Sequence, residues 1–245
     1  MARPRRHLPN APIVEAVIDF RVLPQEQATF EMFGGLTSLI GDPYSQKSTM
    51  QSVQARFGLE NGQWVNSLPT PATIGWIYQT STEIAQFRVD GFTFNKIAPY
   101  TTWEQVFGEA HRLWKIYKDV ARPKQISRIA VRYINRMRFI APTSLAEYIE
   151  SPPTVPAPIS KVVREFLSRI VIDDQERRAS AVITQALEPR IDQDQVTLLL
   201  DIDAFRESNV PQNDSELPMA FEQLRQLKNE IFFASITEKT AEMYE

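Results

Sequence analysis

The sequence predicts an α+β protein made of two similar β-α-β(3-4)-α halves, each a curved antiparallel sheet with helices packed on one face. Two observations lead to this fold class. Segments with the alternating hydrophobicity of strands are separated by segments with helical spacing, and the order strand, helix, several strands, helix occurs twice in the 245 residues. We therefore expect a basic N-terminal tail at 1–10, a first half at 11–122 and a second half at 123–245.

The first half begins with a strand between Pro12 and Pro24. Apolar residues alternate there with polar ones, which is typical of a strand with one buried face. The charged positions of the other face are Glu15, Asp19 and Arg21. Residues 25–40 then predict a helix, because apolar residues recur at helical spacing, although a Gly-Gly pair within the segment lowers its helix propensity.

Further strands and a second helix complete the first half. The strands are predicted at 51–59, 73–80, 84–90 and 92–98, and Asp90-Gly91 between the last two is a strong hairpin signal. The clearest helix of the chain covers 103–120, where large apolar residues recur at helical spacing. Thr101 and Glu104 match a capping box at its start, and Pro123 prevents its continuation.

The second half begins with an arginine-rich segment at 125–140 that fits two structures. A strand would place one apolar set on a single face: Ile129, Val131, Tyr133, Met137 and Phe139. A helix would align a different apolar set equally well. The content of β-branched and aromatic residues, and the similarity to 13–22, favour the strand.

Proline content and the alternation of apolar and polar residues predict the remaining elements of the second half. A proline-rich stretch at 151–158 predicts a stiff surface link. Beyond it we expect a mixed segment at 160–172, strands at 178–188 and 195–203, and a final helix over 218–233.

The composition excludes several classes of site. The chain has no cysteine and two histidines, His7 and His111, which excludes structural zinc sites, cysteine nucleophiles and paired-histidine metal centres. It has no G-x-G-x-x-G or G-K-[ST] motif, so we expect no nucleotide loop and no cofactor. Apolar runs fall short of the ~20 residues of a membrane helix, and we expect a cytoplasmic protein without a membrane partner.

The strongest charge feature is a basic segment at 112–138, with nine basic residues and one acid in a chain of net charge −3. Candidates for binding an anion or a partner are Arg128, Arg132, Arg136 and Arg138 on one face of the strand and Asn135 on the other. Alternatively, Glu15 and Asp19 of the first strand face Arg132 and Arg136 as structural ion pairs. The pI of 5.6 favours this second interpretation over a dedicated nucleic-acid binder.

Two carboxylates, Asp201 and Asp203, form a D-x-D motif on a predicted strand. Their side chains would share one face about 7 Å apart, and oxygen ligands in this arrangement can hold Mg²⁺. Glu188, Asp192 and Asp194 are close in sequence. The alternative is a strand whose acids are exposed or paired with arginine.

Four segments in order match motifs of one family. They are H-L-P-N-A-P-I-V-E-A-V-I-D-F-R-V at 7–22, R-I-A-V-R-Y-I-N-R at 128–136, L-L-L-D-I-D-A-F at 198–205 and L-K-N-E-I-F-F-A-S-I-T-E-K-T at 227–240. Together they resemble a sporadically distributed prokaryotic family of uncharacterised proteins of similar length. The resemblance implies a cytoplasmic protein and supplies no catalytic residues. The patchy distribution implies genes that move horizontally, as in mobile-element or defence loci.

These observations favour binding over catalysis. We expect a non-catalytic intracellular interaction or regulatory protein whose partner is another protein, and we leave a homodimer open. One alternative is a metal-dependent hydrolase or nuclease that uses Asp201 and Asp203. The other is a nucleic-acid-binding protein that uses the basic surface of 112–138.

Overall fold

The structure is a computed structural model that describes residues 7–60, 63–140, 144–154, 163–188 and 195–245, with the side chains of 53–70 excepted. These residues form nine strands: β1 (Ile13–Leu23), β2 (Gln46–Glu60), β3 (Gln63–Gln79), β4 (Glu83–Arg88), β5 (Gly91–Ile97), β6 (Gln125–Ile140), β7 (Phe166–Asp174), β8 (Ala179–Leu187) and β9 (Gln195–Arg206). The α-helices are α1 (Thr37–Ile40), α2 (Trp103–Ala121), α3 (Leu217–Ser235) and α4 (Glu238–Glu242). The α+β class is therefore confirmed.

All nine strands belong to one antiparallel sheet, in the order β2-β3-β4-β5-β1-β6-β9-β8-β7. The first strands of the two predicted halves, β1 and β6, are neighbours at its centre. Outward from β1 come β5, β4, β3 and β2, and outward from β6 come β9, β8 and β7. The sheet therefore brings the charged positions of β1 and β6 together, although they are far apart in sequence.

The helices α2 and α3 pack on one face of this sheet. α2 contacts β1 and β5, whereas α3 contacts β6, β8 and β9. Between them lies Phe20 of β1, whose ring centroid is 4.1 Å from that of Trp114 in α2 and 5.0 Å from that of Phe221 in α3. All three side chains are fully buried. Because aromatic rings bury so much apolar area, this face holds the hydrophobic core. The opposite face is called the open face below.

The predicted strand at 125–140 and helix at 103–120 are both confirmed, as β6 and α2. Thr102 caps α2, one residue later than predicted, and its side chain accepts a hydrogen bond from the backbone N–H of Gln105. Arg122 follows the last turn with a φ of 44°, so the chain leaves the helix before Pro123. Turn chemistry at both ends thus limits the helix to the apolar stripe that the sequence predicts.

The prediction of one helix over 25–40 is wrong. The segment contains a short 3₁₀-helix, Phe30–Phe33, and the four-residue α1, with Gly34 and Gly35 between them. Of the apolar residues that suggested a helix, Leu36 and Ile40 are buried in the core, whereas Leu39 is 57% exposed. The apolar residues before and after Gly34-Gly35 contact the core from two separate short helices. A continuous helix is unfavourable because two adjacent glycines lower helix propensity.

The second half follows the prediction in most elements. The strands expected at 178–188 and 195–203 are β8 and β9, and the helix expected over 218–233 is α3, which α4 follows. The mixed segment contains β7, while 155–162, which includes much of the proline-rich link, lies outside the described residues. None of the described helices is long and apolar enough to cross a membrane.

The described part of the predicted N-terminal tail, residues 7–10, packs on the C-terminus. Leu8 is buried in the core. The backbone N–H of Asn10 donates to the carbonyl of Tyr244, and its side-chain amide donates to the carbonyl of Glu245. The two ends of the described chain therefore stabilise each other, and residues 1–6 lie outside the description.

Candidate functional site

The open face of the central strands forms the candidate site. Side chains of β1 and β6 that point away from the helices line a depression of about 940 Å³, together with side chains of β4, β5 and β9. We call it the central depression. Its charged lining consists of four arginines and five carboxylates: Arg21, Arg88, Arg128, Arg132, Glu15, Asp19, Asp90, Asp203 and Glu207. The excess of one carboxylate makes this surface slightly acidic.

Arg128 of β6 joins carboxylates from two neighbouring strands. Its Nη1 donates to Oδ2 of Asp19 in β1 at 3.2 Å, and its Nη2 donates to Oδ2 of Asp203 in β9 at 2.7 Å. The guanidinium carbon also lies 4.6 Å from the ring centroid of Phe205. Because the side chain of Arg128 is 20% exposed, the two carboxylates neutralise a charge that is already partly removed from water.

Arg88 of β4 reaches the same aspartate from the other side. Its side chain is 6% exposed, and its Nη1 donates to Oγ1 of Thr93 at 2.6 Å. That hydroxyl donates in turn to Oδ1 of Asp19 at 2.6 Å, and Nη2 of Arg88 lies 3.4 Å from the same oxygen. Asp19 therefore contacts both of these guanidinium groups and also that of Arg21, whose Nε lies 3.4 Å from its Oδ2. Its own side chain is 12% exposed, so the cluster is a connected and largely buried network.

Arg132 and Arg136, the next two arginines of β6, are also paired. Nε and Nη2 of Arg132 donate to the two carboxylate oxygens of Asp201 at 2.8 and 2.6 Å. These hydrogen bonds raise the pKa of Arg132. Arg136 donates from Nε to Oε2 of Glu188 at 3.2 Å. Charge-assisted hydrogen bonds of this kind, above all bidentate ones, are strong and specific because the planar guanidinium group matches the geometry of a carboxylate.

The expected pairing of Glu15 and Asp19 with Arg132 and Arg136 is corrected by the register. Val17, and neither acid, lies opposite Arg132, and a register shift between Ile13 and Glu15 displaces the end of β1. The partners of these arginines come instead from β9 and from Glu188 at the end of β8. The arginines are thus neutralised within the fold, but mainly by acids of the second half.

Glu15 has a different environment from the other carboxylates of the depression. It accepts a hydrogen bond from Nδ2 of Asn95 at 2.5 Å, and Asn95 accepts one from Gln86 at 3.1 Å. Each of the other lining carboxylates forms an ion pair with an arginine. Among the residues that the structure describes, no such partner is found for Glu15. Within the described residues, Glu15 is thus the lining carboxylate without an ion-pair contact, although the charge of Arg132 is close enough to interact with it.

Of the candidates for binding an anion or a partner, Arg136, Arg138 and Asn135 lie outside the central depression. Asn135 points to the helix-covered face, is 2% exposed and donates from Nδ2 to the carbonyl of Leu200 at 3.0 Å. Arg138 lies near the end of β6, opposite Thr197, and is exposed. Asn135 is therefore positioned to stabilise the strand pair, while Arg138 is an isolated surface charge within the described chain.

The carboxylates proposed for a metal site are engaged elsewhere. Asp201 accepts both hydrogen bonds of Arg132, and Asp203 accepts from Arg128. Burial raises the pKa of Asp203, and the charges of Arg128 and Arg132 offset this in part. In the described ranges, no group of three or more His, Asp or Glu side chains is arranged to hold a metal ion. Asp192 and Asp194 lie outside the described residues.

Several residues of the network were missed by sequence reasoning. Arg88, Thr93 and Asn95 lie on the β4–β5 hairpin, at positions that alternate with the buried residues Phe87, Phe92 and Phe94. The alternation in 84–98 could have indicated that these polar side chains share one face. Their contact with Asp19 depends on the pairing of β5 with β1, which the alternation does not reveal.

The helix-covered face holds a buried lysine at a position of the apolar stripe of α3. Lys228 is 6% exposed, and its Nζ lies 3.6 Å from the ring centroid of Tyr133. Burial and the nearby charge of Arg225 lower the pKa of Lys228 to about 7. The hydroxyl of Tyr133 is hydrogen-bonded to that of Tyr100 at 2.8 Å. The surroundings of Lys228 therefore favour its neutral form more than water does.

Comparison with known proteins gives no indication of function for this chain. No protein-family model matches the chain, and no curated protein matches it. The contacts of the central depression, and the charge that they leave unpaired, are therefore the observations from which a function has to be inferred.

Proposed function

We propose that the protein is a non-catalytic interaction protein that binds a basic segment of a partner protein on its open face. The observation that carries this proposal is the charge balance of the central depression. All four of its arginines contact carboxylates, whereas Glu15 forms no ion-pair contact with a described residue and interacts with Arg132 only at longer range. A ligand with a positive charge would complete the network, while an anion would meet guanidinium groups that are already engaged.

The apolar part of the lining supports a protein partner. Apolar side chains lie among the charges of the depression: Val17, Met50, Ile74, Ala130 and Ile134. Protein-binding surfaces combine apolar contact area with polar groups that fix orientation. We therefore expect the partner segment to carry lysine or arginine next to apolar residues, with its cation against Glu15.

The same contacts count against the other two expectations. Binding to nucleic acid depends on lysine and arginine side chains that can neutralise phosphates, and the depression has more carboxylates than arginines. A metal-dependent hydrolase needs carboxylate oxygens free for the ion, whereas both oxygens of Asp201 and Oδ2 of Asp203 accept from arginine. Neither alternative is favoured by a specific contact.

Selection from a display library of random peptides tests the proposal without knowledge of the natural partner. We expect enriched peptides to contain lysine or arginine beside apolar residues. The affinity of a selected peptide is then measured by fluorescence anisotropy for the wild type, Glu15→Gln and Glu15→Lys. Glutamine retains the acceptor for Asn95 but not the charge, and we expect about tenfold weaker binding for it and a larger loss for lysine.

The matched control is Glu242→Lys, which makes the same change of charge at an exposed position of α4. We expect this variant to bind the peptide as the wild type does. Enrichment of acidic peptides, or equal affinity of the wild type and both Glu15 variants, would refute the proposed site.

We further propose that the two halves derive from duplication of one β-α-β unit. The support is the common outward strand order from β1 and from β6, and the position of α2 and α3 after the last strand of each half. We also propose a cytoplasmic location and membership of the prokaryotic family that the four motifs resemble, with a role in a mobile-element or defence locus. The identity of the neighbouring genes would test this assignment.

A further inference from the structure

The two outer strands of the sheet differ in character. The described side chains of β2, residues 46–52, are polar apart from Met50. β7 instead exposes Leu167, Ile170 and Val171, which are 74%, 53% and 53% accessible. An outer strand presents backbone N–H and C=O groups that are not paired within the sheet, and an apolar outer strand is therefore suited to pair with another strand.

β7 is already held in an extended conformation. It pairs with β8 along its whole length, from Phe166 opposite Leu187 to Asp174 opposite Ala179. On the helix-covered side, Phe166 and Ile172 pack against the hydrophobic core. Within the described residues, β7 is the last strand of the sheet on this side. Its outer edge can therefore accept a further strand without a change in backbone conformation.

The charges on the open face of β7 are arranged symmetrically around Val171. Arg169 and Asp173 lie on the open face, two residues before and two residues after it. Asp173 accepts a hydrogen bond from the hydroxyl of Ser180 at 2.6 Å, and neither residue forms an ion pair with another described residue. Among the described residues, the edge thus carries one cation and one anion without an ion pair, at equal distances from an exposed valine.

We propose that β7 pairs antiparallel with β7 of a second copy of this chain, in a register centred on Val171, so that the two sheets become one. A two-fold axis at Val171 places Arg169 of each copy opposite Asp173 of the other, which forms two cross-strand ion pairs. On the other face of the strands, Ile170 lies opposite Ile172. The open faces of both copies then lie on the same side of the joined sheet.

Other symmetric registers lose this complementarity. A register centred on Ile170 places Asp173 opposite Leu167, and one centred on Ile172 places it opposite Val171. In both, a carboxylate faces an apolar side chain, and Arg169 has no acid directly opposite. The charge pattern therefore selects both the partner, which is a second copy, and the register.

Size-exclusion chromatography with light scattering tests the proposal. We expect the wild type to have twice the 28.1 kDa chain mass. Arg169→Asp or Asp173→Arg places like charges opposite each other twice, and we expect each variant to have the mass of a single chain at the same concentration. Arg138→Asp, an exposed arginine of β6, is the matched control and is expected to remain a dimer.

Rescue of the charge pattern separates dimerisation from loss of folding. The double variant Arg169→Asp/Asp173→Arg restores opposite charges and is expected to dimerise. An equimolar mixture of the two single variants is expected to form a heterodimer, because both acids of the first variant, at 169 and 173, then face arginines of the second, at 173 and 169. Thermal unfolding of each variant verifies that the monomers are folded.

Three results would overturn the proposal. The first is a wild type that stays at 28.1 kDa up to about 100 µM, where a dimer with a Kd of that order is substantially populated. The second is a dimer that persists in both single variants. The third is a failure of the double variant and of the mixture to dimerise while the single variants are folded monomers.

Discussion

The two faces of the central strands β1 and β6 place neighbouring residues in very different environments. On the helix-covered face, Phe20 and Ile129 are fully buried among apolar side chains. One residue away on the open face, Asp19 and Arg128 are joined by an ion pair. The helix-covered face stabilises the fold by removing apolar surface from water. The ion pairs of the open face contribute little net free energy of folding, but removing one member of a pair leaves the other as an uncompensated charge and is destabilising. Core packing therefore supplies stability, and the charge network restricts which strands can be neighbours.

The largest expected effect is on the helix-covered face. Phe20→Ala removes the ring that stacks on Trp114 and contacts Phe221, and we expect the free energy of unfolding to fall by about 4 kcal/mol. Urea denaturation followed by circular dichroism measures this change. The comparison variant is Val17→Ala on the open face, for which we expect a loss of about 1 kcal/mol. Similar losses at both positions would contradict the assignment of the core to one face.

The next effect tests the charge network. Asp19→Asn leaves Arg88 and Arg128 without the carboxylate between them, and we expect a loss of about 3 kcal/mol because both guanidinium groups are largely buried. Asp90→Asn is the control, because this carboxylate is 58% exposed, and we expect a loss below about 1 kcal/mol. Equal unfolding midpoints in urea for the two variants would show that the network does not behave as a buried unit.

Substitution of Lys228 is expected to raise the free energy of unfolding, unlike the substitutions at Phe20 and Asp19, which lower it. Its pKa is about 7 in the folded protein against an ordinary value of 10.5, so between these values the unfolded chain binds a proton that the folded chain does not. Wild-type stability therefore gains from this group as pH rises from 7 to 10.5. Lys228→Met removes the penalty, and we expect a stabilisation of about 2 kcal/mol at pH 7.

The pH dependence identifies the cause of that stabilisation. The advantage of Lys228→Met over the wild type is expected to be largest at pH 7 and below and to diminish toward pH 10. Urea denaturation at several pH values measures it, with Lys124→Met as the control for an exposed lysine. An advantage that is constant across this range would mean that the change in packing, and not the protonation of Lys228, is responsible.

The smallest changes in the free energy of unfolding are expected for Arg132 and Arg138 of β6. The side chain of Arg132 is 46% exposed, so Arg132→Met is expected to lower the free energy of unfolding by about 1 kcal/mol. Arg138→Met, at an exposed position without an ion pair to a described residue, is expected to have no measurable effect in the same denaturation experiment. A larger loss at Arg138 than at Arg132 would contradict the network described for the open face.

Strong periodicity made the central elements predictable. Alternation over 13–22 and 125–140 predicted β1 and β6, and a long apolar stripe predicted α2. The same reasoning was wrong for 25–40, where core contacts from a 3₁₀-helix and from α1 imitate helical spacing. Hydrophobic periodicity indicates which residues are buried. It predicts a helix or strand correctly only when a single regular conformation buries all of those residues.

The partners of the arginines could not be predicted in the same way. The sequence shows that Arg128 and Arg132 share a face, but β6 has two neighbouring strands. Whether β1 or β9 supplies the carboxylate depends on register, and the register of β1 shifts near both ends of its pairing with β6. Arg88, which approaches Asp19 from β4, is two strands away and has no signal in the local pattern.

The amino-acid sequence by itself determined which side chains of each central strand are buried and which face solvent, because alternation along a strand is fixed by backbone geometry. Only the tertiary structure decided that β1 and β6 are neighbours, that the acids of β9 hold the arginines, and that Glu15 forms no ion-pair contact with a described residue. These outcomes depend on the order and register of strands distant in sequence. Local preferences act over a few residues, whereas the pairing of strands is set by the packing of the whole sheet.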